Sequence, residues 1–272
     1  MQNKTRIAFF GTPELCVPIL TKLKNNGFEP VLIVTNPDRP IGRKQILTPT
    51  PVKTWGLEND TPVWQPEKIT KDFVKDFEEQ NIDLSIVVAY GKILPQSLID
   101  TPRLGTINIH YSLLPRWRGA SPVEASILAG DAKTGVAIQQ MVKKLDAGPI
   151  LAQREHVIGD KITAPELRNE LNIMGAELLV QILPQIINQE ITPEQQDEGQ
   201  ATHCGKFTKA DAEVNLSDDD LELWRKYRAY YYWPRIYYFD NGTRTIITQA
   251  DFQNGKFIIK KILPAGGKEK DF

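Results

Sequence analysis

Four short apolar runs, Arg6–Gly11, Val31–Thr35, Asp83–Ala89 and Gly105–His110, constrain this chain more than any other feature. Each is continuous rather than alternating, which is the pattern of a strand buried on both faces. The first is followed by Thr12-Pro13, which suit a helix start, and then by an amphipathic run to about Asn25. A second helical pattern covers Lys71 to Gln80. Strands alternating with helices imply an α/β fold with a mainly parallel sheet covered on both sides, whose ligands gather beyond the carboxyl ends of the strands. Functional residues are therefore sought where strands stop.

Three stretches break that rhythm. Asn36 to Pro51 is a polar, proline-rich insertion carrying Arg39, Arg43 and Lys44, too long for an ordinary connection and so read as a functional or mobile loop. A long helix, about Ala164 to Asn188, runs into the polar segment Gln189 to Gly199, which reads as a linker. The expected organisation is a catalytic unit over 1–189, a linker over 190–205 and a small unit over 206–272. In the last, Ser217-Asp218-Asp219-Asp220 suits a helix start, and short strands are expected around Ile236–Phe239, Thr243–Thr248 and Lys256–Ile262.

At 272 residues and 41% hydrophobic content the chain has ample core for a large unit and a small one. Its 33 Lys and Arg balance 34 Asp and Glu, so contact with a polyanion has to come from a local patch. Cys16 and Cys204 lack metal-ligand spacing, and no apolar leader-like run stands at the start, so free thiols in a reducing compartment, the cytoplasm, are expected. No uninterrupted apolar run approaches the roughly 18 residues that cross a bilayer, and no membrane partner is expected.

The most informative stretch is Asn108-Ile109-His110-Tyr111-Ser112-Leu113-Leu114-Pro115-Arg116-Trp117-Arg118-Gly119-Ala120-Ser121-Pro122. On a strand over 105–110, period-two geometry points Asn108 and His110 to one face at the carboxyl end. Downstream, Leu145-Asp146-Ala147-Gly148-Pro149 supplies a carboxylate in a tight turn after a strand ending near Met141. An Asn, a His and an Asp at strand ends suit acyl transfer. The amide stabilises the carbonyl oxygen as charge develops on it, the imidazole shares that role or relays the proton of the attacking amine, and the carboxylate orients the ring. No metal and no covalent nucleophile is required. Taken singly each residue has a blander reading: a structural histidine, an asparagine satisfying turn backbone, an ordinary turn aspartate. Gly11-Thr12-Pro13 lacks the further glycines of a dinucleotide site.

Taken together with Phe10-Gly11-Thr12-Pro13-Glu14, Pro37-Asp38-Arg39-Pro40-Ile41-Gly42-Arg43, Val87 to Pro95 and Leu145-Asp146-Ala147-Gly148, the stretch Asn108–Pro122 resembles the methionyl-tRNA formyltransferase family over nearly the whole chain. Ser112-Leu113-Leu114-Pro115 matches the hallmark of folate-dependent formyltransferases and hydrolases. The resemblance implies a Rossmann-like catalytic sheet and a smaller C-terminal β-rich, barrel-like unit. It implies 10-formyltetrahydrofolate as donor, the amine of charged initiator tRNA as acceptor, no metal, and a monomer. Asn108, His110 and Asp146 match the catalytic set. Ala89, Tyr90, Gly91, Ile93 and Leu94, with Ser112 to Pro115, match the folate-binding region, and Arg39, Arg43 and Lys44 the loop that engages the acceptor stem. Arg225, Lys226, Arg228, Tyr230, Tyr231, Tyr232, Trp233 and Arg235 mix bases with aromatics, as an RNA platform or a packed core would. Two departures stand out. The barrel looks shortened between about Asp251 and Lys261 and ends early at Phe272, and Tyr111 replaces an expected smaller residue, where it would narrow or line the site. Transfer to an amino-sugar nucleotide, or an RNA-binding descendant without activity, are the alternative readings.

Overall fold

A computed structural model describes residues 5–42 and 44–272. Seven strands form one sheet in the order Ile150–Val157, Lys133–Gln140, Thr106–His110, Leu84–Val88, Ile7–Gly11, Leu32–Val34, Val63–Trp64. The last five run parallel, and the first two are antiparallel additions at one edge. Side-chain alternation explains why the inner strands read as continuous apolar runs. In Ile7–Gly11, Ile7 and Phe9 enter one core while Ala8 and Phe10 enter another on the opposite face, so no position meets water. The edge strand Ile150–Val157, which has exposed positions at Gln153, Glu155 and Val157, alternates instead.

Each face has its own helices. Helices Cys16–Asn25 and Ala164–Ile187 cover the first, burying Ile19, Leu20, Leu23, Leu167, Leu171, Leu179 and Leu183. Helix Lys71–Glu78 and the short turn Gln96–Ile99 cover the second with Val74, Phe77, Leu98 and Ile99. Phe77 is fully buried, with its ring 5.6 Å from Phe10 and 6.3 Å from Phe73. Ala164–Ile187 is long and apolar enough on average to cross a bilayer, yet half of its apolar window is packed inside the fold. Its start carries a capping box in which Thr163 and Glu166 satisfy each other's free N–H groups.

Several expectations shift. The insertion after the second strand is no shapeless loop: Arg39–Ile41 pairs antiparallel with Ile46–Thr48, and the delayed helix Pro51–Glu58 starts behind it, capped by the Thr50 hydroxyl. The first helix begins only at Cys16, after a turn. The C-terminal strands form a four-stranded antiparallel sheet in chain order, Tyr237–Asp240, Thr243–Gln253, Lys256–Pro264, Lys270–Asp271, with the middle two longer than the sequence reading gave. Two tight Asn-Gly connections make the hairpins: Asn241-Gly242 and Asn254-Gly255 all have positive φ, as such turns require. Helix Asp220–Ala229 carries Leu223, Trp224 and Tyr227 into the same core as the large sheet.

Tyr111 also differs from expectation. It turns away from the carboxyl end of its strand and is buried against the long helix, where its hydroxyl donates to Asn172 Oδ1 at 2.7 Å. Asn172 Nδ2 in turn donates to the Leu15 carbonyl at 2.9 Å. Burial pushes the Tyr111 phenol well above its ordinary range, so it stays a donor. It is a tie between strand and helix and neither narrows nor lines the site.

Truncating Phe77 to Ala is expected to lower the unfolding free energy by about 3–5 kcal/mol, read by chemical denaturation. Tyr111→Phe leaves a buried carbonyl-type acceptor without its donor and is expected to cost about 1–3 kcal/mol. Turnover of the folded Tyr111 variant should equal that of the unaltered protein; a large loss would return Tyr111 to the site.

Candidate active site

Strand Thr106–His110 ends beside the carboxyl ends of its parallel neighbours, where the sheet stops and loops take over. Ile107 and Ile109 point into the core under the helices, which leaves Asn108 and His110 on the opposite face. His110 is buried, and its Nε2 lies 2.9 Å from the Trp117 carbonyl. A carbonyl only accepts, so Nε2 carries a hydrogen and donates it. The other ring nitrogen, Nδ1, faces Asp146 Oδ2 at 3.7 Å, close enough for attraction and too long for a good direct hydrogen bond. Asn108 is half-buried one strand repeat away, in register with Val87 on one side and Gln139 on the other. The three residues singled out from the sequence therefore sit in one neighbourhood.

Asp146 reaches that position through a left-handed backbone, φ 48°. Its two oxygens are held from different directions: the Gly119 N–H donates to Oδ2 and the Gln139 amide to Oδ1, each at 2.9 Å. Two glycines make the close approaches possible. A Cβ on Gly119 would collide with the Cys204 carbonyl, and one on Gly148 with the Gln140 carbonyl. Ala89 and Trp117, in the two other loops around the site, also have left-handed backbones. Such non-glycine residues cost about 1–3 kcal/mol each and persist where their surroundings over-determine them, typically at functional sites.

Beside Asp146 lies a cavity of about 210 Å³ lined by Leu94, Ile93, Met141, Val142 and Leu145, with Gln139, Asp146, Lys92 and Lys143 as its polar members. Its volume is below the roughly 300 Å³ at which a drug-sized ligand is enclosed, so it suits one planar ring system with polar edges. Leu94 is buried in its wall while Ile93 is 93% exposed at its mouth. The loop that carries both is anchored by Lys92, whose ammonium donates to the Pro66 and Glu67 carbonyls, and burial lowers its pKa.

Other expected site residues fall elsewhere. Tyr90 packs its ring edge-on to Phe10 in the second core, and its carbonyl, not its side chain, accepts from Thr12 and Asn36. Ser112 to Pro115 do not line the cavity. Ser112 is fully buried and donates to the Arg116 carbonyl, Leu114 is buried with its carbonyl accepting from Gln153, and the Pro115 carbonyl accepts from Thr202. They brace the loop that holds Trp117 and Gly119. Arg39 and Lys44 lie on the exposed hairpin, where Arg39 donates to Glu67 at 2.7 Å and Ile41, Ile46 and Leu47 are exposed with them. Arg43 lies outside the described residues. The basic and aromatic stretch divides: Arg228 and Tyr230 are buried, while Tyr232 is 82% exposed and Tyr231 and Trp233 about half. Among the described residues no three His, Cys, Asp or Glu side chains are grouped to hold a metal.

The sequence reading missed Gln139, Arg118 and the role of the stretch after the long helix. Gln139 is 1% exposed directly after the apolar run Val136-Ala137-Ile138, and a polar residue continuing such a run is the signal that would have found it. Arg118 is fully buried, although it reads as one of two surface arginines flanking a tryptophan. The supposed linker is no free tether: His203 and Cys204 pair with Arg118 and Gly119, Glu194 pairs with Ile150, and Gln196 and Glu198 both accept from Arg118. Burial pushes the Cys204 thiol above its ordinary range, and it donates to the Trp117 and Arg118 carbonyls.

Residues 5–183 match the Formyl transferase family. The methionyl-tRNA formyltransferase of Methylococcus capsulatus is 43% identical over 235 residues, 84% of this chain and 75% of the relative. That of Stutzerimonas stutzeri is 40% identical over 266 residues, 97% and 85% of the two chains, and that of Bacillus subtilis 42% identical over 240 residues, 88% and 75%. Among solved structures, a sugar N-formyltransferase from Shewanella superposes with a TM-score of 0.71 at 18% identity, covering 91% of this chain and 98% of its own. The methionyl-tRNA formyltransferase from Clostridium thermocellum superposes with a TM-score of 0.61 at 17% identity, covering 96% and 98%. The solved structures share the fold. With the family matched across most of the chain and relatives above 40% identity over most of their own length, this chain belongs to the formyltransferases, in the methionyl-tRNA formyltransferase family.

Proposed function

We propose that this chain moves the formyl group of 10-formyltetrahydrofolate onto the α-amino group of methionyl initiator tRNA by direct attack of the amine, with Asn108, His110 and Asp146 as the catalytic residues. The observation that carries the reading is the 3.7 Å approach of His110 Nδ1 to Asp146 beside a ring-sized cavity. Because Nε2 spends its hydrogen on the Trp117 carbonyl, Nδ1 is the nitrogen left to take a proton. As the new C–N bond forms, His110 accepts the proton of the amine at Nδ1, next to the Asp146 carboxylate that stabilises the imidazolium. The Asn108 amide donates to the formyl oxygen while charge develops there. As the bond to the donor breaks, His110 returns the proton to the departing nitrogen, which closes the balance without a covalent enzyme intermediate.

The donor's ring fits the cavity beside Asp146, with Leu94 and Met141 against its faces and Ile93 covering it from the mouth. The backbone of Ala89, Tyr90 and Gly91 meets its polar edge, and Ser112 to Pro115 serve as the bracing of the site. The insertion over residues 36–51, whose sequence carries Arg39, Arg43 and Lys44, serves the acceptor stem, with basic residues for phosphates and the exposed Ile41 and Leu47 for the end of the duplex. Residues 1–189 form the catalytic unit, 190–205 the connection and 206–272 a unit that extends the grip on tRNA. The reaction belongs in the cytoplasm, and one copy of the chain holds all of these groups.

Purified protein should formylate methionyl initiator tRNA from 10-formyltetrahydrofolate and leave an amino-sugar nucleotide unmodified. His110→Ala and Asp146→Asn should each lower kcat by about 10²–10³-fold with the fold intact by circular dichroism. Arg43→Ala should raise KM for the tRNA and leave KM for the donor unchanged. Wild-type turnover in both the His110 and Asp146 variants would defeat the catalytic assignment, and preference for the sugar nucleotide would defeat the acceptor.

A further inference from the structure

The two groups that hold the Asp146 carboxylate are themselves held from one point. Gln139 supplies the donor to Oδ1, and Gly119, the residue after Arg118, supplies the donor to Oδ2. Gln196, half-buried between them, touches every part of this arrangement. Its Oε1 accepts from Arg118 Nε at 2.9 Å, which fixes the loop ending in Gly119. Its Nε2 donates to the carbonyls of Asp146, at 2.9 Å, and Gly148, at 2.6 Å, and lies 3.4 Å from Gln139 Oε1. One amide thus spans the turn that bears the carboxylate and both the strand and the loop that clamp it. A glutamine is chosen by this geometry, since only a side chain with both an acceptor and a two-hydrogen donor meets a guanidinium on one side and carbonyls on the other.

Gln196 does not come from the catalytic sheet. It lies on the strap over residues 194–204, which is fastened at Glu194 to Ile150, at Thr202 to Trp117 and Arg118, and at Cys204 to Ala120, before the chain enters the C-terminal unit. Nearby, Glu198 accepts from both Arg118 and Lys144, so the same strap ties the loop before Gly119 to the loop before Asp146.

We propose that Gln196 is a positioning residue for formyl transfer: it sets the Asp146 carboxylate opposite His110 without touching the reacting atoms. This rests on the reading of Asp146 as part of the catalytic set. A misplacement of about 1 Å in a reacting constellation can cost up to about 10²-fold in rate, so removing the bracket while Gly119 and Gln139 remain should cost on the order of 10-fold. A residue that merely glued the strap down would instead change stability or tRNA affinity, whatever stands at position 146.

The test is a mutant cycle on the full-length protein with methionyl initiator tRNA and 10-formyltetrahydrofolate in single turnover. Gln196→Met keeps the length of the side chain and removes its hydrogen bonds, and it should lower the rate constant about 10-fold with both KM values within about two-fold. Gln196→Glu keeps the acceptor for Arg118 but sets a carboxylate against the Asp146 and Gly148 carbonyls, and it should lose at least as much. In an Asp146→Asn background, Gln196→Met should cause no further loss, because the group it positions is already gone. An unchanged rate in Gln196→Met, a loss confined to KM, or an equal loss in both backgrounds overturns the proposal while leaving Asp146 catalytic. A wild-type rate in Asp146→Asn alone would instead remove the catalytic reading beneath it. If Gln196→Met melts below the assay temperature, Gln196→Asn, which retracts the same amide by one carbon, takes its place with the same expectations.

Discussion

A charged group that is 11% exposed is costly to bury unless hydrogen bonds meet it, and in this protein that constraint falls on Asp146. The requirement explains most of what surrounds it. One oxygen takes a backbone N–H from a loop brought in by Gly119, and the other takes an amide from Gln139 in the neighbouring strand. The turn that carries Asp146 adopts a left-handed backbone to present it, and Gly148 lets that turn lie against Gln140. The remaining direction faces His110. The carboxylate and the imidazole therefore face each other across 3.7 Å.

The parallel sheet makes this arrangement affordable. Because both faces of the inner strands are buried under helices, the strand ends are stiff, and His110 is fixed by covalent continuity with Ile107 and Ile109 in the core. Loops that carry strain need such a base, since Ala89, Trp117 and Asp146 would relax if the strands beneath them could shift. The antiparallel edge adds something the parallel strands cannot. Strand Lys133–Gln140 runs against Thr106–His110, so it delivers Gln139 next to Asn108 and then releases the chain into the loop that curls back with Asp146. A crossover helix could not bring two consecutive segments to the same spot so directly.

Much of this was legible in the residues. Continuous apolar runs revealed the doubly covered sheet because the side chains on those strands, Asn108 apart, are buried, and the period-two relation of Asn108 and His110 needed only the strand to be right. Asp146 is legible as a turn carboxylate, and the long helix ends within a residue of its expected end, because its apolar pattern is local. What stayed hidden depends on contacts distant in sequence. The strap looked like a linker because its polar residues are spent on partners about 50 to 85 positions away, such as Gln196 on Gly148 and Thr202 on Trp117. Tyr111 looked like a site residue because it neighbours one, while its partner Asn172 is 61 positions on. The two Asn-Gly hairpins of the C-terminal sheet were readable from composition alone, and that turn chemistry would have lengthened the expected strands.

The loop Arg116-Trp117-Arg118 illustrates why residue type by itself did not separate the two arginines. Arg116 lies outward, pairs with Asp131 at 2.6 Å and covers the Trp117 ring at 4.4 Å, while the Trp117 indole donates to the same aspartate. Arg118 goes inward, fully buried, with Nε on Gln196 and Nη1 on Glu198. A left-handed residue between them, Trp117, sends the two side chains to opposite sides. The outer pair is a surface contact that solvent weakens. The inner guanidinium has been taken out of water, with Nε and Nη1 met within the chain and Nη2 buried without a partner among the described residues, and a lysine there would offer one point charge where two acceptors stand apart. The same residue type therefore plays a dispensable role and an exacting one two positions apart, and only the backbone turn at Trp117 decides which.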